Sequence, residues 1–258
     1  MDQDNATPEK PALAGHITLL FPTAGIWLAV TAALLLVMAG LGTRFGLWPF
    51  RTGFTILGYG GWCGLLAALV SLPGIIISIR GRRVLGFALA GTALVAGIAT
   101  FAVPFSWKLA AGRLPRIHDI TTDVANPPRF VAVIPLRKDA VNPVEYGGTG
   151  IAVQQLRAYP GIKTLVLELP QEQAFALALD AAQRMGWAID ASVPLEGRIE
   201  ATDSTFWFGF KDDIVIRISG AGSRSLVDIR SVSRVGISDV GTNARRVRAF
   251  LKNLEGKT

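Results

Sequence analysis

The chain has 258 residues and a net charge of +7; half of its residues are hydrophobic and only 17% are charged. Soluble domains carry about 25% charged residues, and the shortfall is local, because between Ala24 and Phe105 the only charges are Arg44, Arg51, Arg80, Arg82 and Arg83. The basic balance excludes nucleic acid as the expected partner: residues 1–112 carry +4, mostly flanking apolar runs, and residues 113–258 carry only +3.

Residues 1–23 read as an N-terminal tail holding Asp2, Asp4 and Glu9. Three apolar runs follow, 24–43, 53–79 and 84–105. A bilayer core needs about 20 apolar residues in helical form. None of the runs has the polar face at helical spacing that a helix buried in a soluble protein shows. Region 24–107 therefore predicts three transmembrane helices, with the lipid bilayer as first partner. The first run exceeds the roughly 7–15 apolar residues of a secretory signal. Pro73 predicts that the second span kinks or ends early. Small residues four apart (Gly42 and Gly46, Gly60 and Gly64, Ala93 and Gly97) allow close helix packing, within the chain or in a homo-oligomer. Cys63 is the lone cysteine, so neither an intrachain disulfide nor a paired-cysteine zinc site is expected.

Orientation follows from the arginines. The short loop Arg80-Gly81-Arg82-Arg83 places itself and the N-terminus in the cytoplasm, since short basic loops stay inside. The C-terminal domain is then delivered to the far side, the periplasm if the membrane is a bacterial inner membrane. Lys108, Arg113, Arg116 and the Arg44–Arg51 loop weigh against that arrangement.

Residues 108–162 form a Pro-rich connector with little periodicity, read as wrapped on the domain that follows. Residues 163–258 have a sharper pattern. A strand over 164–169 leads through Pro170 into a helix over 171–185 that Gly186 stops. Trp187, Ile189, Ala191 and Val193 alternate as a strand, and Ile199 and Ala201 belong to its partner. Ile214, Ile216 and Ile218 form a hairpin with Val227 and Ile229. A turn centred on Gly220–Ser223 puts Ile216 opposite Val227, Ile214 opposite Ile229 and Asp213 opposite Arg230. A last helix runs from about Asp239 to Leu254, capped by Ser238 or Asp239. The order predicts an α+β domain, an antiparallel sheet with two helices on one face. The aromatic stretch Phe206–Phe210 is expected to fill core at a strand end.

The stretch Asp228–Asn243 is the most suggestive for binding. A strand carries Arg230 and Arg234 on one face and leads into a helix start, where free N–H groups attract anions. Arg230, Arg234, Ser238 and Asn243 are thus the candidate anion-binding residues, with Asp213 as a structural partner of Arg230. His118 and Asp119 are the candidates for catalysis, because an imidazole beside a carboxylate serves as base. No metal-ligand spacing and no dinucleotide fingerprint is present, so neither a metal nor a cofactor is expected.

Several of these stretches share a pattern. Arg116-Ile117-His118-Asp119-Ile120, Asn126-Pro127-Pro128, Tyr159-Pro160, the run Phe208 to Asp213 and the run Asp228 to Arg248 resemble the family catalogued as domain of unknown function 1499. The resemblance covers roughly residues 113–254. It implies a bacterial membrane-anchored or lipoprotein-like protein with its domain outside the cytoplasm, and no assigned activity. Gly161 stands where the pattern has an acidic residue, so no site is expected there. The resulting expectation is an envelope-facing module that binds a protein partner or a small anionic ligand. The alternatives are a hydrolase-like enzyme using His118 and Asp119, and a rigid cap on the helices. On the binding reading, Arg230 and Arg234 are replaceable without loss of the fold.

Overall fold

A computed structural model describes residues 13–256, with side chains from Leu19 onward. The chain divides after Lys108 into two compact units. The first holds helices α1 (Leu13–Arg44), α2 (Phe50–Arg80) and most of α3 (Val84–Arg113). All three are long and apolar enough to cross a membrane. They overrun the predicted spans because hydropathy marks only the lipid-facing length, while the backbone ladder continues into the polar ends. Residues 13–23, expected as tail, are helical; the tail over 1–12 lies outside the described residues. Pro73 does not end α2, which continues to Arg80, and Pro22 and Pro104 are likewise inside helices.

The small residues are used inside this bundle. A Cβ on Gly60 would meet Leu36 of α1 at 2.4 Å, and one on Gly64 would meet Thr100 of α3 at 2.2 Å. Gly97 faces the Gly64 carbonyl, and Ala93 is fully buried. Gly42 lies against the Trp48 ring, and Gly46 turns the chain with φ +72°.

The second unit contains β1 (Asp119–Thr121), α4 (Gly148–Ala158), β2 (Leu165–Leu167), α5 (Gln171–Arg184), β3 (Ala188–Val193), β4 (Arg198–Ser204), β5 (Lys211–Ala221), β6 (Arg224–Ser233) and α6 (Thr242–Glu255). The six strands form one antiparallel sheet in the order β1-β6-β5-β4-β3, with β2 also paired to β6. Thus β1 and β2 lie end to end along the same edge. Helices α5 and α6 cover one face, where Ile199, Ile214, Ile216, Ile218, Val227 and Ile229 meet Phe175, Val247 and Phe250. This is the expected α+β layer. After α5, Gly186 takes φ +76° and the chain turns directly into β3.

Two local expectations change. The β5–β6 hairpin turns on Gly222-Ser223, with Gly222 at φ +70°, not on the centre of the Gly220–Ser223 stretch. A two-residue turn with glycine first is the II′ form that matches strand twist. The register moves by two residues, so Ile216 faces Ile229, Ile218 faces Val227, and Asp213 faces Val232. An even shift keeps the isoleucines on the core side, but it breaks the Asp213–Arg230 pair. The last helix starts at Thr242, not Asp239, because Val240 and Gly241 adopt φ +50° and +74°.

The connector is not featureless. It supplies β1 and α4, and its stretch 122–147 crosses the sheet face opposite the helices. Gln155 of α4, fully buried, covers the outer edge of β1: its amide donates to the Thr121 carbonyl at 2.6 Å and accepts the Thr121 N–H at 2.9 Å. The edge strand is thereby closed to further pairing. Of the aromatic stretch, Phe208 is buried and stacks on Phe210 at 5.3 Å, while Phe206 is exposed.

Candidate functional site

The sheet face that α5 and α6 leave uncovered carries charge at alternate positions of its central strands. Arg198 and Glu200 come from β4, Asp213 and Arg217 from β5, and Asp228 and Arg230 from β6. Burying such groups costs several kcal/mol each unless they are paired and hydrogen-bonded. The 122–147 stretch supplies that pairing. Its backbone lacks a ladder of its own, so its N–H and C=O groups also need partners.

The two needs meet group by group. The Glu200 carboxylate accepts the N–H groups of Val131, Ala132 and Val133, each at 3.0 Å, and pairs with Arg198. Arg217 donates to the Asn126 carbonyl at 2.9 Å and bridges Asp123 and Asp228. Arg234 donates to the Leu136 carbonyl at 2.7 Å. Its other nitrogens hold Asp213, which Arg137 also binds. The Asn142 amide donates to the carbonyls of Ser233 and Gly236 at 2.9 and 2.8 Å.

Arg230 is 3% exposed and makes a forked pair with Asp119: Nε reaches Oδ1 at 2.9 Å and Nη2 reaches Oδ2 at 2.7 Å. It also donates to the carbonyls of Pro128 at 3.3 Å and Val144 at 2.7 Å. Four of its five N–H groups are thus engaged, and one on Nη1 is not. The rings of Phe130 and Tyr146 lie 5.1 and 5.4 Å from the guanidinium carbon, within cation–π range.

Beside these rings a groove of about 430 Å³ opens, walled by Pro127, Phe130, Ile134, Val144, Tyr146 and Arg230, with Arg129 and Glu145 also lining it. Tyr146 Oη is enclosed there without a hydrogen-bond partner. Burial, and secondarily the Asp119 charge, push its pKa up to about 12 against a slight lowering by Arg230. The phenol is therefore a standing donor at neutral pH. A raised pKa means that the fold prefers the neutral form, so this contribution to stability is whole below pH 10 and is lost as pH rises toward 12. Thermal unfolding of wild type is expected to fall further than that of Tyr146→Phe across this interval; parallel curves would show that the hydroxyl does not feel its surroundings.

The predicted site residues separate. Arg230 alone lines the groove. Arg234 belongs to the Asp213 cluster. The buried Asn243 amide donates to the His118 carbonyl and to Ser233 Oγ, joining α6 to the residue before β1 and to β6. Ser238 Oγ donates to the Pro115 carbonyl and accepts the Val240 N–H. The helix start does hold an anion, but it is the chain's own: Asp239 accepts the N–H of Gly241 at 2.9 Å and of Asn243 at 2.6 Å. Burial raises the pKa of this carboxyl despite those two donors. Arg246, also buried, ties α6 to Asp203 and Asp212 on the helix side.

His118 and Asp119 are not brought together. Both Asp119 oxygens are held by Arg230, so the carboxylate is already engaged. Ile134, Val144 and Tyr146 escaped the sequence reading because they fall in a stretch without periodicity, whereas Phe130 was expected to anchor that stretch. No local signal pointed to those three, because charges alternating along central strands fit a solvated face as well as a covered one.

Residues 119–254 match the family described as protein of unknown function (DUF1499). No curated protein matches the chain. The family match covers more than half of the 258 residues and contains the whole sheet and every residue of the groove. The chain belongs to the DUF1499 family, joined here to three helices long enough to cross a membrane.

Proposed function

We propose that this protein is a membrane-tethered binding module whose C-terminal domain takes a small anionic ligand in the groove beside Arg230. One observation carries the reading: Tyr146, whose enclosed hydroxyl has no hydrogen-bond partner, and Arg230, with one N–H unengaged, both line the groove. A buried donor left without a partner costs about 1–3 kcal/mol, and a ligand oxygen reaching it recovers that. The volume falls within the roughly 300–1,000 Å³ of small-molecule sites. The hydrolase alternative has no comparable support, since Asp119 is fully held by Arg230.

The test uses the full chain in detergent, with benzoate as anionic probe and benzamide as its neutral counterpart. Benzoate at a hundred times its Kd is expected to stabilise the protein by about 2.7 kcal/mol, with a smaller effect of benzamide and of benzoate on Tyr146→Phe. Equal shifts in all three, or none, would remove the groove from consideration.

The arginines of the Arg80–Arg83 turn support an orientation with this turn in the cytoplasm and the domain on the opposite side of a bacterial inner membrane. A reporter joined after Thr258, active only outside the cytoplasm, is expected to be active; a silent reporter with an active cytoplasmic one reverses the orientation.

A further inference from the structure

We infer that the groove's ligand is an amphiphile with a single carboxylate, a fatty-acid-like molecule whose head meets Arg230 and Tyr146 and whose chain lies along Ile134 and Val144. This narrows the reading above and rests on it.

The head follows from the donors. Two unengaged donors match the two oxygens of one carboxylate. The local charges do not favour a more highly charged head, because Arg230 is already neutralised by Asp119, and Arg129 has Glu145 on the same groove. Oη is enclosed at present, so the head's approach requires a shift of the stretch around Val144–Gly147, which has no regular secondary structure.

The body follows from the space. The groove has room for about fourteen water molecules at about 30 Å³ each. A carboxylate fills only a small part of that, and the remaining wall is Pro127, Phe130, Ile134 and Val144. Outside the groove the same stretch exposes Val131, Leu136 and Val141, the last at 75%. Apolar side chains exposed to water on the stretch that lines the groove fit a longer alkyl chain better than a compact polar metabolite. A lipid-embedded protein also has such amphiphiles at hand, whether they come from the bilayer or from solution.

The experiment uses the full chain in nanodiscs and a dodecanoate carrying a chain diazirine, with crosslinked residues mapped by mass spectrometry. Labels are expected on Ile134 or Val144. They should fall about tenfold in Tyr146→Phe, as loss of one hydrogen bond to a charged group predicts. Unlabelled decanoate should displace them, and the methyl ester of the probe should label weakly. Labels confined to the three apolar helices, while benzoate still stabilises the protein, would overturn the amphiphile and leave the anion groove standing. Equal labelling by acid and ester would overturn the carboxylate head. If neither the probe nor benzoate acts on the domain, both readings fall together.

Discussion

Replacing Asp213 by alanine is expected to unfold the second unit, or nearly so. Asp213 is fully buried, and its two oxygens serve Arg137 and Arg234 as well as the Thr202 hydroxyl. Removing one partner of a buried ion pair costs about 3–5 kcal/mol, because the other charge stays behind without compensation. Here two guanidinium groups stay behind. Whole domains are stable by only about 5–15 kcal/mol. Arg234→Ala is expected to be milder, since Arg137 still neutralises the carboxylate. Arg234→Ala is thus expected to cost some stability, where the binding reading expects the fold to stay largely intact. Thermal unfolding of full-length variants in detergent reads out both effects, and an Asp213→Ala protein as stable as wild type would mean that the cluster adds nothing.

Glu200→Ala is expected to release the 122–147 stretch from the sheet while leaving the helix-side core largely assembled. The Glu200 carboxylate accepts the N–H groups of Val131, Ala132 and Val133. Each buried donor left unsatisfied costs about 1–3 kcal/mol, and Arg198 loses its buried partner as well. The core residues beneath α5 and α6 make no use of Glu200. Limited proteolysis should therefore cut wild type slowly within 129–138 and the variant rapidly, and ligand stabilisation by benzoate should disappear with the groove. Cleavage at the same rate in both proteins would show that the stretch is held by other contacts. Glu200→Gln is an intermediate case: it keeps an acceptor oxygen but halves the capacity and discards the charge.

Both predictions concern the face of the sheet that local pattern reading passed over. Alternation of Ile214, Ile216 and Ile218 identified the core face because burial of apolar side chains is recorded at every second residue. The opposite positions hold Asp213, Val215 and Arg217, which read equally well as a solvated face. Whether such a face meets water or a covering segment depends on contacts between residues about a hundred positions apart, such as Asp119 with Arg230. No periodicity encodes them, and the covering stretch has none of its own.

The sequence by itself determined the three long apolar helices, the antiparallel sheet and the helices that pack on it. Those features arise from runs and repeats of hydrophobic residues, whose burial is dictated locally by helix length and strand alternation. It also identified the family. Only the tertiary structure decided which carboxylate each arginine holds, that Asp239 occupies the helix start, and that Tyr146 stands unpartnered beside Arg230. A charge carries no mark of its partner in the chain, and the hairpin register that sets those partners was settled by the Gly222-Ser223 turn and by packing across the whole sheet.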